Sequence, residues 1–397
     1  MRVLVISHMY PNPVNPMSGI FVHNQNRALA GKGAEVRVVV PIPRFPLYPK
    51  WKGYRSLPAQ TVIDGILVHH VPTLMFPGGF FFRMYGDLYI RSLREAIRNI
   101  REAFPFDVIH AHTAYPDGFA AAALKEEFGV PAVCTAHGSD LLLYPARDRK
   151  VHDRTVESLR GNDRVITVSR RLEREARKMC PEADVRTVYN GFDPERFKPV
   201  SREEARKRLG LGVTGPMILY VGNLLPVKGV HFLLQAFKRA EAAELGATLV
   251  LVGDGPLRAS LERQARELGI AGNVKFMGRR PHEEIPDWIS ASDMVVLTSL
   301  SEGLPSILLE SMGCGRPMVA TDVGGISELL VDGETGLLAR PKDPEQIAEC
   351  LRRMLTEEGL RERLAGRALD RSRELVWEQN ANTVLACFRE LTERKTL

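Results

Sequence analysis

Short apolar runs rich in Val and Ile alternate along the chain with longer segments whose apolar positions recur every three or four residues. The first pattern is that of buried strands and the second that of amphipathic helices, and their alternation is the mark of βαβ units around a parallel sheet. In the first half strands are expected at Val3–Ser7, Glu35–Val40, Val108–His112, Ala132–Ala136, Val165–Val168 and Arg186–Tyr189, with helices over Phe21–Gly31, Gly86–Phe104, Asp117–Phe128 and Arg170–Met179. The rhythm then restarts, with strands at Met217–Val221, Thr248–Val252, Val274–Met277, Met294–Thr298, Met318–Ala320 and Gly336–Leu338. Helices are expected at Val230–Ala243, Pro256–Leu268, Glu283–Ala291, Ser306–Gly313, Pro344–Thr356 and Leu360–Arg373. Between the halves, the turn formers of Asn190–Pro199 suit a hinge rather than a helix. The pattern therefore predicts an α/β protein of two doubly wound, Rossmann-like domains, residues 1–195 and 196–376. A last amphipathic segment, 377–397, has no strand after it and is expected to fold back over the first domain.

A chain of 397 residues suits two such cores. No stretch reaches the roughly 18–20 apolar residues a spanning helix needs, and the first apolar run is too short for a signal peptide. Five scattered cysteines without a CxxC pair read as reduced thiols, so a cytoplasmic location is expected. Charge adds one refinement. Residues 1–195 hold six more basic than acidic groups, while residues 196–397 balance. The excess centres on residues 37–101, where Phe76–Tyr85 packs aromatics before Arg91, Arg94, Arg98 and Arg101, spaced to share a helix face. That combination suits phosphorylated substrates or peripheral docking on an anionic membrane surface at the inner membrane face, and no nucleic-acid motif accompanies it.

The chemistry-bearing residues of the second half gather where strands end. After the strand at Met294, the loop reaches Glu302, Gly303 and Leu304, and a helix starts at Pro305-Ser306. The first amides there, of Ser306, Ile307 and Leu308, form an anion site at the positive end of the helix dipole, fit for a diphosphate. Glu310 lies eight residues beyond Glu302. An acid near strand ends can accept from ribose hydroxyls, which suits Glu310, while Glu302 faces the sugar. After the strand at Met217, Gly222 and Asn223 lead to Lys228-Gly229, a lysine placed to offer a point charge to phosphate. Gly253 closes the next strand, Arg279 follows Gly278 where a nucleobase could be held, and Gly324-Gly325 repeats the theme.

In the first half, Gly19 sits in the loop after the first strand, where backbone can approach phosphate closely. His137 ends a strand in Thr135-Ala136-His137-Gly138-Ser139-Asp140, a place equally suited to a structural hydrogen bonder and to a ligand-facing group. His112, Asp117 and Asp140 stand near it as candidates for the acceptor side, with His110 beside them. The chain has no Asp-x-Asp pair to hook a metal-bound nucleotide sugar, no GxxxxGK[ST] and no GxSxG, so neither metal nor cofactor is expected.

At these residues the chain resembles the retaining glycosyltransferases of family four, whose GT-B fold sets two Rossmann-like domains facing across a cleft. The spacing Glu302-x7-Glu310 is similar to the family's paired-glutamate motif, Gly222–Gly229 to its phosphate loop, and Thr135–Gly138 to its acceptor-side histidine motif. Within the family, His8-Met9-Tyr10-Pro11 and Ser18–Val22 are similar to bacterial and archaeal enzymes building surface polysaccharides of the teichuronic acid kind. The resemblance implies metal-independent transfer of a hexose, with retention, from a nucleotide diphosphate sugar to a glycan or lipid-linked acceptor. Glu302, His137 and Lys228 would be catalytic. It differs at Asn223, where many relatives carry an arginine that grips the diphosphate. A GT-B nucleotide-sugar epimerase, a phosphorylase and a non-catalytic sugar-nucleotide-binding subunit are the rival readings; the last fits poorly with intact Glu302, Glu310 and Lys228.

Overall fold

A computed structural model describes residues 1–45, 51–79, 81–212 and 214–394. The chain divides into two compact units, Met1–Asn190 with Trp377–Leu397, and Gly191–Val376. The first boundary falls five residues before the position the turn formers suggested. Phe192 explains the difference: its N–H bonds the Leu375 carbonyl, and its ring lies where a Cβ on Gly313 would come within 2.2 Å. Residues 191–195 thus go with the second unit.

The first unit is built on a sheet of β1 (Arg2–Ile6), β2 (Glu35–Arg44), β3 (Gln60–Ile63), β4 (Ile66–Leu74), β5 (Val108–His112), β6 (Ala132–Ala136), β7 (Arg164–Thr167) and β8 (Val185–Thr187), in the order β3-β4-β2-β1-β5-β6-β7-β8. All neighbours are parallel except β3 with β4. This hairpin was not expected. Its turn, Asp64-Gly65 with both φ values positive (47° and 78°), is the two-residue connection whose twist matches the strands it joins. Two apolar clusters cover the faces of this sheet. One joins β1 and β2 to Ala381, Val384, Leu385, Phe388 and Leu391 of the final helix, Trp377–Arg394, which therefore belongs to this unit. Arg164, fully buried in β7, ties that helix down through Glu390 at 2.9 Å and the Cys387 carbonyl at 3.4 Å, and also meets Asp184 at 2.8 Å. The helix Arg149–Gly161 was also not expected; it starts at Asp148, whose side chain accepts from the amides of Lys150 and Val151.

The second unit has β9 (Met217–Val221), β10 (Thr248–Val252), β11 (Val274–Gly278), β12 (Met294–Leu297), β13 (Met318–Thr321) and β14 (Leu337–Ala339), ordered β11-β10-β9-β12-β13-β14 and wholly parallel. The order runs outward in both directions from the pair β9/β12, so the connections leave to opposite sides there and open a crevice at the strands' carboxyl ends. In the first sheet the same reversal falls between β1 and β5.

Among the described residues, no helix is long and apolar enough to cross a membrane. The aromatic segment before the helix Tyr85–Ala103 turns mostly inward. Phe82 packs against Tyr85, Tyr115 and Tyr144, Phe81 stays half exposed, and Phe80 lies outside the described residues. On the following helix Arg94 and Arg98 share Glu127, at 3.0 and 2.6 Å, and Arg101 caps the Phe106 carbonyl.

Candidate functional site

The crevice of the second sheet is assembled from four loops whose backbones touch. Gly229, at φ 62°, ends the loop after β9, and a Cβ there would meet the Thr298 carbonyl at 2.1 Å. Gly253, at φ 140°, ends β10 with its Cα against the Gly222 carbonyl, leaving 1.9 Å for a Cβ. Any other residue would push these loops apart. Further bonds close the set: Leu300 N–H to Val227 O (2.7 Å) and Gly325 N–H to Gly303 O (2.7 Å). Gly229 and Gly253 thus let backbone meet backbone.

On this frame Glu302 and Lys228 form an ion pair, Nζ to Oε1 at 2.6 Å, with the side chains 10% and 25% exposed. The same carboxylate oxygen accepts from Ser299 Oγ at 2.6 Å. Behind it Tyr220 donates to the Asn223 carbonyl at 3.0 Å; burial, and then the Glu302 charge, push its hydroxyl pKa far up, so it stays protonated. Asn223 therefore contributes a backbone acceptor to the loop, with its side chain exposed. The pair leaves two of the three ammonium donors of Lys228 for another anion.

The helix Ser306–Gly313 begins beside this pair. Pro305 stands at its N-cap with extended backbone and no side chain caps it. Leu308 N–H closes on the Pro305 carbonyl at 3.1 Å, so the anion site expected of three amides narrows to those of Ser306 and Ile307. Glu310, one turn in, lies 3.6 Å from His282 Nε2, and both are nearly buried. His282 escaped the sequence reading. It follows β11, far from Glu310 in the chain, and no spacing rule links them. Arg279 is exposed at the end of the same strand, and Arg280 lies over the Trp288 ring at 5.6 Å. Gly222, Gly253, Gly303, Leu304 and Pro305 are thus brought around Lys228, Glu302 and the helix start.

The first unit gathers a second cluster at the ends of β1, β5 and β6. His112 Nδ1 and His137 Nε2 share a hydrogen bond at 3.0 Å, and His110 Nε2 meets Thr135 Oγ1 at 2.8 Å. Burial holds all three rings neutral: His110 and His137 fall to about 3, and His112, pressed further by its two neighbours, falls well below its ordinary value. His137 Nδ1 has no hydrogen-bond partner. Asp140 is spent on the loop, its carboxylate accepting from the amides of Ala114, His137 and Gly138 at 2.7, 3.1 and 2.8 Å. Asp117 is fully buried and accepts from Thr113 Oγ1 at 3.1 Å and meets His8 Nδ1 at 2.6 Å. So of the expected acceptor side, Asp117 and Asp140 position other groups, and His8 presents the more open surface. Burial opposes protonation of His8, but the charge and hydrogen bond of Asp117 outweigh it and the pKa is raised. Thr113 sits at φ 90°, an uncommon value for a β-branched residue, between these groups. Gly19, heading the helix Ile20–Gly31, lies against the Met9 carbonyl. Among the described residues no group of three or more His, Cys, Asp or Glu is arranged to hold a metal ion.

Comparison with known proteins bears on both units. The family model for glycosyl transferases group 1 matches residues 201–371, and that for glycosyltransferase family 4 matches residues 18–196. A Bacillus subtilis (strain 168) protein described as a teichuronic acid biosynthesis glycosyltransferase is 31% identical over 364 residues, covering 89% of each chain. Among solved structures, a sucrose-phosphate synthase from Thermosynechococcus elongatus superposes with a TM-score of 0.84 at 22% identity, over 99% of this chain and 100% of its own. The Anabaena protein HepE, solved in complex with UDP-glucose, gives 0.76 at 20% identity, over 98% and 100%.

Proposed function

The chain belongs to the group 1, family 4 glycosyltransferases of GT-B fold, and from that premise we propose that it moves a sugar from a nucleotide diphosphate sugar to a glycan or lipid-linked acceptor, with retention and without a metal. The observation that carries this reading is the Lys228–Glu302 pair beside the open amides of Ser306 and Ile307, at the switch point of the second sheet. A leaving diphosphate gains negative charge as its bond to the sugar breaks. Lys228 and the two amides are fixed donors for that charge, which costs no reorganisation when the reaction occurs. Glu302, held by Lys228 and Ser299, faces the sugar, whose ring carbon becomes positive in an oxocarbenium-like transition state. Glu310, oriented by His282, accepts from ribose hydroxyls. The acceptor hydroxyl attacks from the face the diphosphate leaves, and the departing phosphate takes its proton. In the first unit the neutral His137, steadied by His112, keeps Nδ1 without a protein partner.

The Anabaena neighbour's bound UDP-glucose makes UDP-sugars the first donors to try, and the name of the Bacillus relative makes surface polysaccharide the acceptor class to try. The test is a thermal-shift panel of UDP-, GDP-, ADP- and dTDP-sugars, since a ligand of the native state raises the melting temperature by mass action. NMR of the products then follows the anomeric proton. An altered free sugar formed without acceptor would make the chain an epimerase, and an inverted linkage would refute retention.

A further inference from the structure

Both polar contacts that Glu302 makes in the crevice of the second unit end on one atom. Lys228 Nζ and Ser299 Oγ each reach Oε1 at 2.6 Å. The other oxygen, Oε2, takes no hydrogen bond from any described residue and is not buried. The carboxylate is therefore loaded on one side and open on the other.

The two donors differ in kind. Lys228 is a quarter exposed, and its ammonium sits on a flexible stem that can turn toward another anion. Ser299, just past β12, is wholly buried and has a single hydroxyl proton to give. Its backbone is fixed as well: Thr321 Oγ1, on β13, donates to the Ser299 carbonyl at 2.6 Å. Next to it Thr298 Oγ1 donates to the carbonyls of Lys228 and Gly229, each at 3.2 Å. A carboxylate's last torsion is broad and roughly two-fold, so the oxygen it presents is set by its donors rather than by the chain. A diphosphate that draws the Lys228 ammonium weakens one of these two donors and leaves the buried one in place.

We propose that Ser299 is a positioning residue for the transfer: it holds Oε1 of Glu302 while the diphosphate competes for Lys228, so that Oε2 stays turned to the hydroxyls of the donor sugar. This inference rests on the transferase reading and goes beyond it by separating the two ends of the donor. Ser299, buried behind Glu302, touches no substrate; its loss is felt at the sugar and not at the nucleotide.

The test uses the full chain with UDP-glucose, or whichever sugar of the thermal-shift panel binds best, and with the matching free nucleoside diphosphate. Ser299→Ala should lower kcat roughly ten- to hundredfold, the worth of a hydrogen bond to a charged group, while the calorimetric Kd of the nucleoside diphosphate stays within about threefold of wild type. Ser299→Thr, which keeps the hydroxyl, should recover most of the turnover. In a Glu302→Ala background no carboxylate is left to hold, so adding Ser299→Ala should cost less than about threefold. Melting curves on each variant separate lost rate from lost folding. The inference is overturned, with the transferase reading left standing, by a kcat near wild type in Ser299→Ala or a nucleotide affinity that falls in step with kcat. A Ser299→Thr variant as slow as Ser299→Ala at wild-type stability, or losses that multiply in the double variant, overturn it equally. Failure of every panel sugar to shift the wild-type chain would instead overturn the transferase reading itself.

Discussion

Glu302→Gln isolates what the charge at residue 302 does, because glutamine keeps the size of the side chain and an acceptor for Ser299 Oγ. What it removes is half of the ion pair with Lys228 at 2.6 Å. A hydrogen bond to a charged group contributes about 1.5–3 kcal/mol when buried. Lys228 is a quarter exposed, so screening brings the expected loss to about 1–2 kcal/mol. In a unit of this size each kcal/mol moves the melting temperature by about 2–4 °C, which predicts a fall of roughly 2–8 °C. The effect on turnover should be larger. Charge fixed opposite a developing charge is worth about a hundredfold in rate when removed, and donor KM should change little because Lys228 still meets the diphosphate. The assay is nucleotide release from the best-binding donor at saturating concentration, beside a melting curve on the same preparation. A kcat within about threefold of wild type, with the melting temperature lowered as expected, would show that the pair only ties two loops together. A double variant with Lys228→Ala adds a check. Residues acting as one unit are not additive, so it should lose less than the product of the single losses.

Glu310→Ala should weaken donor binding about tenfold, the worth of a charge-assisted bond to ribose, and leave kcat nearly intact; unchanged affinity in a nucleotide titration removes Glu310 from the site. The raised pKa of His8 gives a signed pH effect: the His8–Asp117 contribution to stability is fully present below the ordinary histidine value, about 6.5, and is lost as pH rises through the raised folded value. Asp117→Asn should flatten that slope in melting curves taken across the window, and an unaltered slope would assign it elsewhere. Activity should survive EDTA, because the proposed reading gives the charge of the diphosphate to Lys228 and two amides; recovery only on adding manganese or magnesium would refute this. Salt-sensitive sedimentation with phosphatidylglycerol vesicles is expected through Arg83 and Arg91, since Arg94 and Arg98 already share Glu127, and charge reversal at both should lower affinity at about 1 kcal/mol per residue. Equal recovery with neutral vesicles would dismiss the membrane.

Most of the parallel strands were legible because they are buried on both faces and so read as apolar runs bounded by turns. The hairpin β3–β4 was not, because it lies at a sheet edge where that rule fails. β4 carries Pro72 and the paired histidines 69 and 70, which dilute the run. Its one strong signal, Asp64-Gly65 between alternating apolar residues, was there to be used. The helix Arg149–Gly161 hid for a related reason. Thr155 and Ser158 stand on its buried face beside Val151 and Leu159, so polar residues occupy the positions from which a helix is recognised.

The site divides along the same line. Lys228, Glu302, Ser306 and Glu310 were legible as candidates because a strand, a loop and a helix start follow one another in the chain, and that local order already locates the open amides. His282 and Ser299 were not found, since each matters through a contact that only folding creates: Ser299 through the carboxylate of Glu302, and His282 across the sheet edge to Glu310. The acceptor side shows the limit of position alone. Asp117 and Asp140 stand near the right strand ends, yet three backbone amides claim Asp140, and His8 with Thr113 share one oxygen of Asp117. A carboxylate's place in the chain says that it is close to a ligand site. Only the inventory of its hydrogen bonds says whether any oxygen remains for the ligand: both oxygens of Asp140 are claimed, while Oδ1 of Asp117 has no partner but is buried behind His8.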